Sequence, residues 1–157
     1  MTERRIGGLS AALAFVGIAI TGYLLYVRGT GATLACATGG SETVQNSRYA
    51  EILGVPVAAF GLVGYAAVLS TALAAGDGAR LAHAALALGG LVFSGYLLVL
   101  QGVVIGAFCD WCLAADVLVT CIAALALVRL RAASYLSAAR PPGSADDARA
   151  ERSRLVA

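Results

Sequence analysis

Residues 81–128 read LAHAALALGG LVFSGYLLVL QGVVIGAFCD WCLAADVLVT CIAALALV. Two apolar runs, 81–108 and 113–128, meet at Cys109-Asp110-Trp111-Cys112. A hydrocarbon core about 30 Å thick is crossed by about 20 apolar residues in a helix, so both runs read as spans. The second reaches full length only if it begins at the cysteine pair. Working outward, residues 56–75 and 6–27 have the same character, and Gly76-Asp77-Gly78 supplies a tight turn before the third run. The expected fold is an all-α integral membrane bundle of four transmembrane helices. The intervening stretch 28–55 is too polar to span and too long for a simple turn, which makes it an extramembrane loop. Residues 1–130 form the membrane domain. From 131 on, Pro141-Pro142-Gly143-Ser144 and mixed charges read as a disordered cytoplasmic tail, 131–157.

The chain is 60% hydrophobic and 13% charged, with a mean hydropathy of +0.85. A soluble domain carries about a quarter charged residues, so the apolar surface has to face lipid. A net charge of +2, with no basic patch interleaved with aromatics, argues against nucleic acid. Arg4-Arg5 followed by an apolar run resembles a signal peptide. However, 6–27 is longer than an h-region of about 7–15 residues, and no small-x-small site precedes a soluble domain, so a retained first helix is expected. Arg4, Arg5, Arg80, Arg129, Arg131, Arg140, Arg149, Arg152 and Arg154 fall on one side of the four spans, and only Arg28 and Arg48 on the other. The positive-inside rule then puts both termini in the cytoplasm. Loop 28–55 and the cysteine pair face outward, where disulfides persist.

The cysteines are Cys36 in the loop, Cys109 and Cys112 at the outer surface, and Cys121 inside the last helix. At C-x-x-C spacing both sulfurs lie on one face of a first helical turn, close enough for a disulfide, and the helix N-terminus favours a thiolate. The alternatives are two buried thiols or half a zinc site. Zinc takes four ligands and His83 lies at the opposite face, so no metal is expected. Cys121 is about 13 Å further along the axis and reads as a packing residue, while His83 beside Arg80 reads as a solvated helix-end residue. Asp116, one turn below Cys112, is ionisable inside a span, a feature that is functional by default. If protonated it could donate to a carbonyl; the alternative is a snorkelling acid. Within the loop, 42–53 can form one short amphipathic lid helix carrying Val44, Tyr49, Ile52 and Leu53, stopped by Gly54 and followed by Pro56. Such a lid would roof an apolar cavity suited to an isoprenoid quinone, with Tyr23, Phe60, Tyr65, Phe93, Tyr96, Phe108 and Trp111 available to line it.

The loop Cys36, Gly39-Gly40, Val44-Gln45-Asn46-Ser47-Arg48-Tyr49-Ala50, Leu53-Gly54-Val55-Pro56 and the late C-x-x-C together resemble the vitamin K epoxide reductases and their bacterial homologues, over roughly residues 9–130. The resemblance implies a quinone-dependent thiol oxidoreductase in a bacterial inner membrane. It would reoxidise a thioredoxin-like periplasmic or extracellular partner and pass the electrons to menaquinone or ubiquinone, supporting disulfide formation in exported proteins. Carried over, Cys109 exchanges with the loop, Cys112 faces the quinone, Cys36 is the first loop cysteine and Ser47 the lid serine. Ser47, Asp116, Phe60, Trp111 and Tyr96 are the quinone-binding candidates. The family's second loop cysteine falls at position 41, where this chain has Ser41, whose hydroxyl cannot exchange disulfides. Either the natural protein uses one loop cysteine, or Ser41 is an engineered replacement that traps or inactivates the relay. The otherwise intact loop pattern favours the second. A structural tetraspan with stapled outer loops is the rival class, and a small transporter ranks last because no span carries a cluster of ionisable residues.

Overall fold

The computed structural model describes residues 3–34 and 39–138. Along them run α1 (Glu3–Thr30), α2 (Gly40–Gln45), a single 3₁₀ turn (Arg48–Ala50), β1 (Glu51–Ile52), β2 (Val55–Pro56), α3 (Val57–Leu73), α4 (Asp77–Val99) and α5 (Asp110–Ala138). α4 continues into a wider π turn over Leu100–Ile105. Among the described residues three stretches are long and apolar enough to cross a membrane: Arg4–Thr30, Asp77–Ile105 and Asp110–Ala132. Val57–Leu73 is apolar but has 17 residues, about 26 Å at helical rise.

Some boundaries differ from the expected ones, and the start of the last span does not. The third run stops at Ile105, where the widened turn closes through the Ala107 N–H donating to the Gln101 carbonyl at 3.1 Å. α5 begins at Asp110, which puts the cysteine pair at its start and gives this span its full length. At its other end α5 runs on to Ala138, past the tail boundary drawn at 130, because 131–138 holds no helix breaker. The remainder of that tail, and Cys36, lie outside the described residues.

Lipid tails are as apolar as leucine, so packing between spans relies on small residues that let backbones approach. The core follows that rule: Ala14, Ala84, Ala87, Ala123 and Ala126 surround Tyr65, Val68 and Ile122. Tyr65 is the tie between three helices. Its ring lies against Gly17 of α1, where an added Cβ would stand 2.4 Å from the ring, and its hydroxyl donates to the Ala115 carbonyl of α5 at 2.6 Å. His83 is not solvated as expected. It is 1% exposed, with Nδ1 3.3 Å from Thr71 Oγ1, because the first turns of α4 pack on α3.

The single lid helix over 42–53 is also replaced. α2 ends at Gln45, since Ser47 Oγ donates to the Val44 carbonyl at 2.7 Å, a local bond that competes with helix continuation. After the 3₁₀ turn, Ile52 pairs with Val55 across Leu53 and Gly54, at φ 53° and 80°. Two consecutive positive-φ residues make the two-residue hairpin turn that suits strand twist. Ile52 and Leu53 therefore point away from the bundle, Leu53 completely exposed.

The Tyr65 ring cannot retreat from α1 without giving up its bond to α5. Gly17→Ala should therefore lower the thermal unfolding midpoint in detergent by the equivalent of about 1–3 kcal/mol, the usual cost of overpacking. Gly22→Ala, whose Cβ meets nothing within 4 Å, should leave the midpoint in place or raise it; equal loss in both would remove Tyr65 as the tie.

Candidate functional site

The site is built on the first turn of α5. Cys109 stands in the N-cap position, wholly buried, and its Sγ accepts the Cys112 backbone N–H at 3.3 Å. Its own N–H donates to Gln101 Oε1 at 2.8 Å. The Cys112 thiol donates to Cys109 Sγ, the two sulfurs 2.6 Å apart, and both cysteines are free thiols. Cys121 is free and exposed, turned outward along the same helix.

The loop reaches this turn through α2. An added Cβ at Gly40 would lie 2.4 Å from the Phe108 carbonyl oxygen, so the α2 backbone rests directly on the segment before Cys109. The preceding Gly39 is left-handed, at φ +72°, and open to space. This approach buries Ser41 completely, and its Oγ accepts the Asp110 N–H at 3.2 Å. Ser41 and Gln45 side chains both hydrogen-bond toward Cys109, and Gln45 Nε2 also lies 3.9 Å from Cys112 Sγ. Arg28, at the end of α1, fastens the roof: it donates to the Gln45 carbonyl at 2.5 Å and to Glu51 Oε1 at 2.6 Å.

Beneath the roof is a cavity of about 400 Å³, within the usual range for small-molecule sites. Cys112 lines it and Cys109 does not, so the two sulfurs address different sides of the roof. Of the sequence candidates, Ser47, Asp116 and Phe60 line the cavity, as do Tyr65, Phe93 and Tyr49. Trp111 and Tyr96 do not. Trp111 packs on Tyr23, ring centroids 4.9 Å apart, and Tyr96 is 56% exposed on the outer surface of α4. α5 turns the Trp111 ring toward Tyr23 of α1, and α4 presents Phe93 and Ser94 inward, which leaves Tyr96 on its far face. Asp116 accepts a short hydrogen bond from Ser94 Oγ, while its Oδ2 is buried with no hydrogen-bond partner among the described residues. Gln101 and Gln45 were not singled out from sequence. An uncharged amide inside a long apolar run was the available signal for Gln101. Among the described residues no group of His, Cys, Asp or Glu could hold a metal ion.

Residues 9–127 match the model of the vitamin K epoxide reductase family, and the chain belongs to that family. With its apolar helices this makes it a multi-pass membrane protein and an oxidoreductase.

The hydrogen bond from the Cys112 thiol, aided by the Cys112 N–H, Ser41 and Gln45 against the opposing effect of burial, draws the Cys109 thiol down to about 6 from its ordinary 9.0. A depressed acid is ionised above its folded pKa, so Cys109 is a thiolate at neutral pH. Its contribution to the stability of the reduced protein is complete above the ordinary thiol range and is lost as pH falls through about 6. Titrating thiolate ultraviolet absorbance should give a midpoint near 6 that disappears in Cys109→Ser. A midpoint in the ordinary thiol range would contradict this electrostatic account.

Proposed function

We propose, from this family membership and geometry, that the chain is a quinone-dependent thiol oxidoreductase: Cys109 and Cys112 are oxidised to a disulfide and an isoprenoid quinone in the cavity is reduced. The observation that carries it is the division between the sulfurs, with Cys112 on the cavity wall and Cys109 buried against the loop at Ser41. The cavity suits a quinone ring: its walls are largely apolar, and polar groups converge at Cys112, Ser94 and Asp116. Two thiols release two electrons and two protons on forming a disulfide, and a quinone takes up the same number to become a quinol. The exchange balances with no other co-reactant. Cys112 adds to the ring, and the Cys109 thiolate then attacks the Cys112 sulfur: the sulfur–sulfur bond forms as the carbon–sulfur bond breaks, the electron pair leaves with the ring, and two protons complete the quinol. Asp116, held by Ser94, is placed to hold a proton near a ring carbonyl, and Ser47 and Phe60 flank the ring.

In this reading the chain sits in a bacterial inner membrane with four spans, both termini in the cytoplasm, and the cysteines and loop outside. The clustering of arginines at the opposite end supports that orientation. Electrons arrive from a thioredoxin-like partner through Cys36 and then through the residue at 41. Ser41 occupies the place where a thiol would exchange with Cys109, so the route from a protein donor is interrupted in this chain. Its place in an intact loop pattern supports the reading of Ser41 as a replacement for cysteine.

Turnover of a soluble quinone analogue with dithiothreitol tests the core of this. Cys112→Ala should abolish it and Cys121→Ala retain it; activity without Cys112 would sink the assignment. A reduced thioredoxin-like protein donor should support little turnover in this chain, and Ser41→Cys should restore it. Equal rates with and without the added thiol would remove the loop relay. Reporter fusions at Ala79 and after Arg140 should both read as cytoplasmic, and an external signal at either site would overturn the orientation.

A further inference from the structure

α2 has six residues, and a helix shorter than about 12 does not hold itself together in water, so its place is set at its two ends. At one end Gly40 rests on the Phe108 backbone. At the other, Arg28 from the last turn of α1 donates to the Gln45 carbonyl at 2.5 Å. The last carbonyls of a helix have no partners within it, and the dipole there favours a cation. The same guanidinium donates to Glu51 Oε1 at 2.6 Å, across the 3₁₀ turn in β1. One residue of a span therefore grips both halves of the roof, which a planar fork of donors can do in fixed geometry.

The residue whose main chain is gripped is also the one whose side chain reaches both sulfurs. The Gln45 amide hydrogen-bonds toward Cys109, its Nε2 lies 3.9 Å from Cys112 Sγ, and Gln45 lines the cavity. We propose that Arg28 is a positioning residue for the cysteine pair: by clamping the end of α2 it holds the Gln45 amide on the two sulfurs and so sets their reactivity. The inference rests on the redox reading of that pair. An amide donor favours a sulfur that carries negative charge, so a loosened Gln45 should leave Cys109 harder to ionise. Among the described residues, the charged and titratable groups on the elements around Cys109 are Arg28 and Tyr23 of α1, Glu42 of α2, Arg48, Tyr49 and Glu51 of the turn and hairpin, and Asp110, Cys112 and Asp116 of α5. Arg28 and Arg48 are the cations of that set, and Arg48 lies over the Tyr49 ring.

The full chain in detergent, with its cysteines reduced, would be titrated by thiolate absorbance alongside Gln45→Leu, Arg28→Gln and the two combined. Each single change should raise the Cys109 midpoint by about half a pH unit, about threefold in the acid constant, for part of one charge-assisted hydrogen bond. The combination should raise it no further, because the arginine acts through the amide. Removing a cation also raises a thiol midpoint through its field alone, and that effect would survive without Gln45. Additive shifts, or a midpoint that Gln45→Leu leaves in place, would overturn the proposal. Glu51→Gln separates the two effects by sign. Loss of a carboxylate lowers a thiol midpoint through its field, whereas a loosened Arg28 raises it, so a lowered or unmoved midpoint would also overturn the clamp. The pH at which dithiothreitol-driven turnover of a soluble quinone analogue rises should move upward with the midpoint. Thermal unfolding checks that each variant folds. Should Arg28→Gln not fold, Glu51→Gln, on a side chain that is 44% exposed, carries the same cycle against Gln45→Leu. The midpoints are read without quinone, so failed turnover in the unsubstituted chain would sink the redox reading and leave the clamp to be judged by the titrations.

Discussion

A helix that starts under a polypeptide roof has amides that its own carbonyls cannot satisfy, and burial makes each costly to leave unpaired. The first turn of α5 meets this demand with three acceptors from three places. Gln101 of the π turn takes the Cys109 N–H, Ser41 of the loop takes the Asp110 N–H, and the Cys109 sulfur takes the Cys112 N–H. The widened turn, the loop and the redox pair are thus fixed to one another by a single need. Ser41 and the Cys112 N–H, which take part in those bonds, also hydrogen-bond to the sulfur of Cys109, so part of what shapes the turn sets its acidity too.

Burial then separates two chemical surroundings across a few ångströms. Cys109 sits among polar groups of the loop, whereas Cys112 fronts an apolar cavity that reaches down α5 as far as Ile122. Tyr65 holds the wall of that cavity by bonding α5 from α3 while its ring lies in a notch on α1. A cavity needs rigid walls to remain open in lipid, and here alanines at the helix contacts let the backbones that carry them pack closely.

Three of the expected spans were legible because apolar length is a strong signal, and the cysteine pair because its spacing matched a helix that needed those residues to reach full length. The broken lid was less legible. Val44, Tyr49, Ile52 and Leu53 fit one amphipathic helix on paper, but Ser47 turns on its own backbone and Leu53 adopts a left-handed conformation that apolar residues seldom take. Orientation about a helix axis was the other gap. Trp111 and Tyr96 belong to the two spans that meet at the pair, yet Trp111 faces Tyr23 and Tyr96 faces outward. The roles of Gln45 and Gln101 were not legible because an amide carries no charge and announces itself only when its neighbours are known.

Gly39 and Gly40 look like one feature in the sequence and are two in space. Gly39 has an unusual dihedral and empty surroundings, so asparagine, which tolerates the left-handed region, is an acceptable exchange there. Gly40 has a neighbouring carbonyl where any side chain would begin, so even a single methyl group is excluded. Variation among related chains should follow that distinction, with drift permitted at 39 and none at 40. A pair of glycines is thereby a hinge followed by a spacer, and only the spacer sets how closely the residue at 41 can approach the sulfur below it.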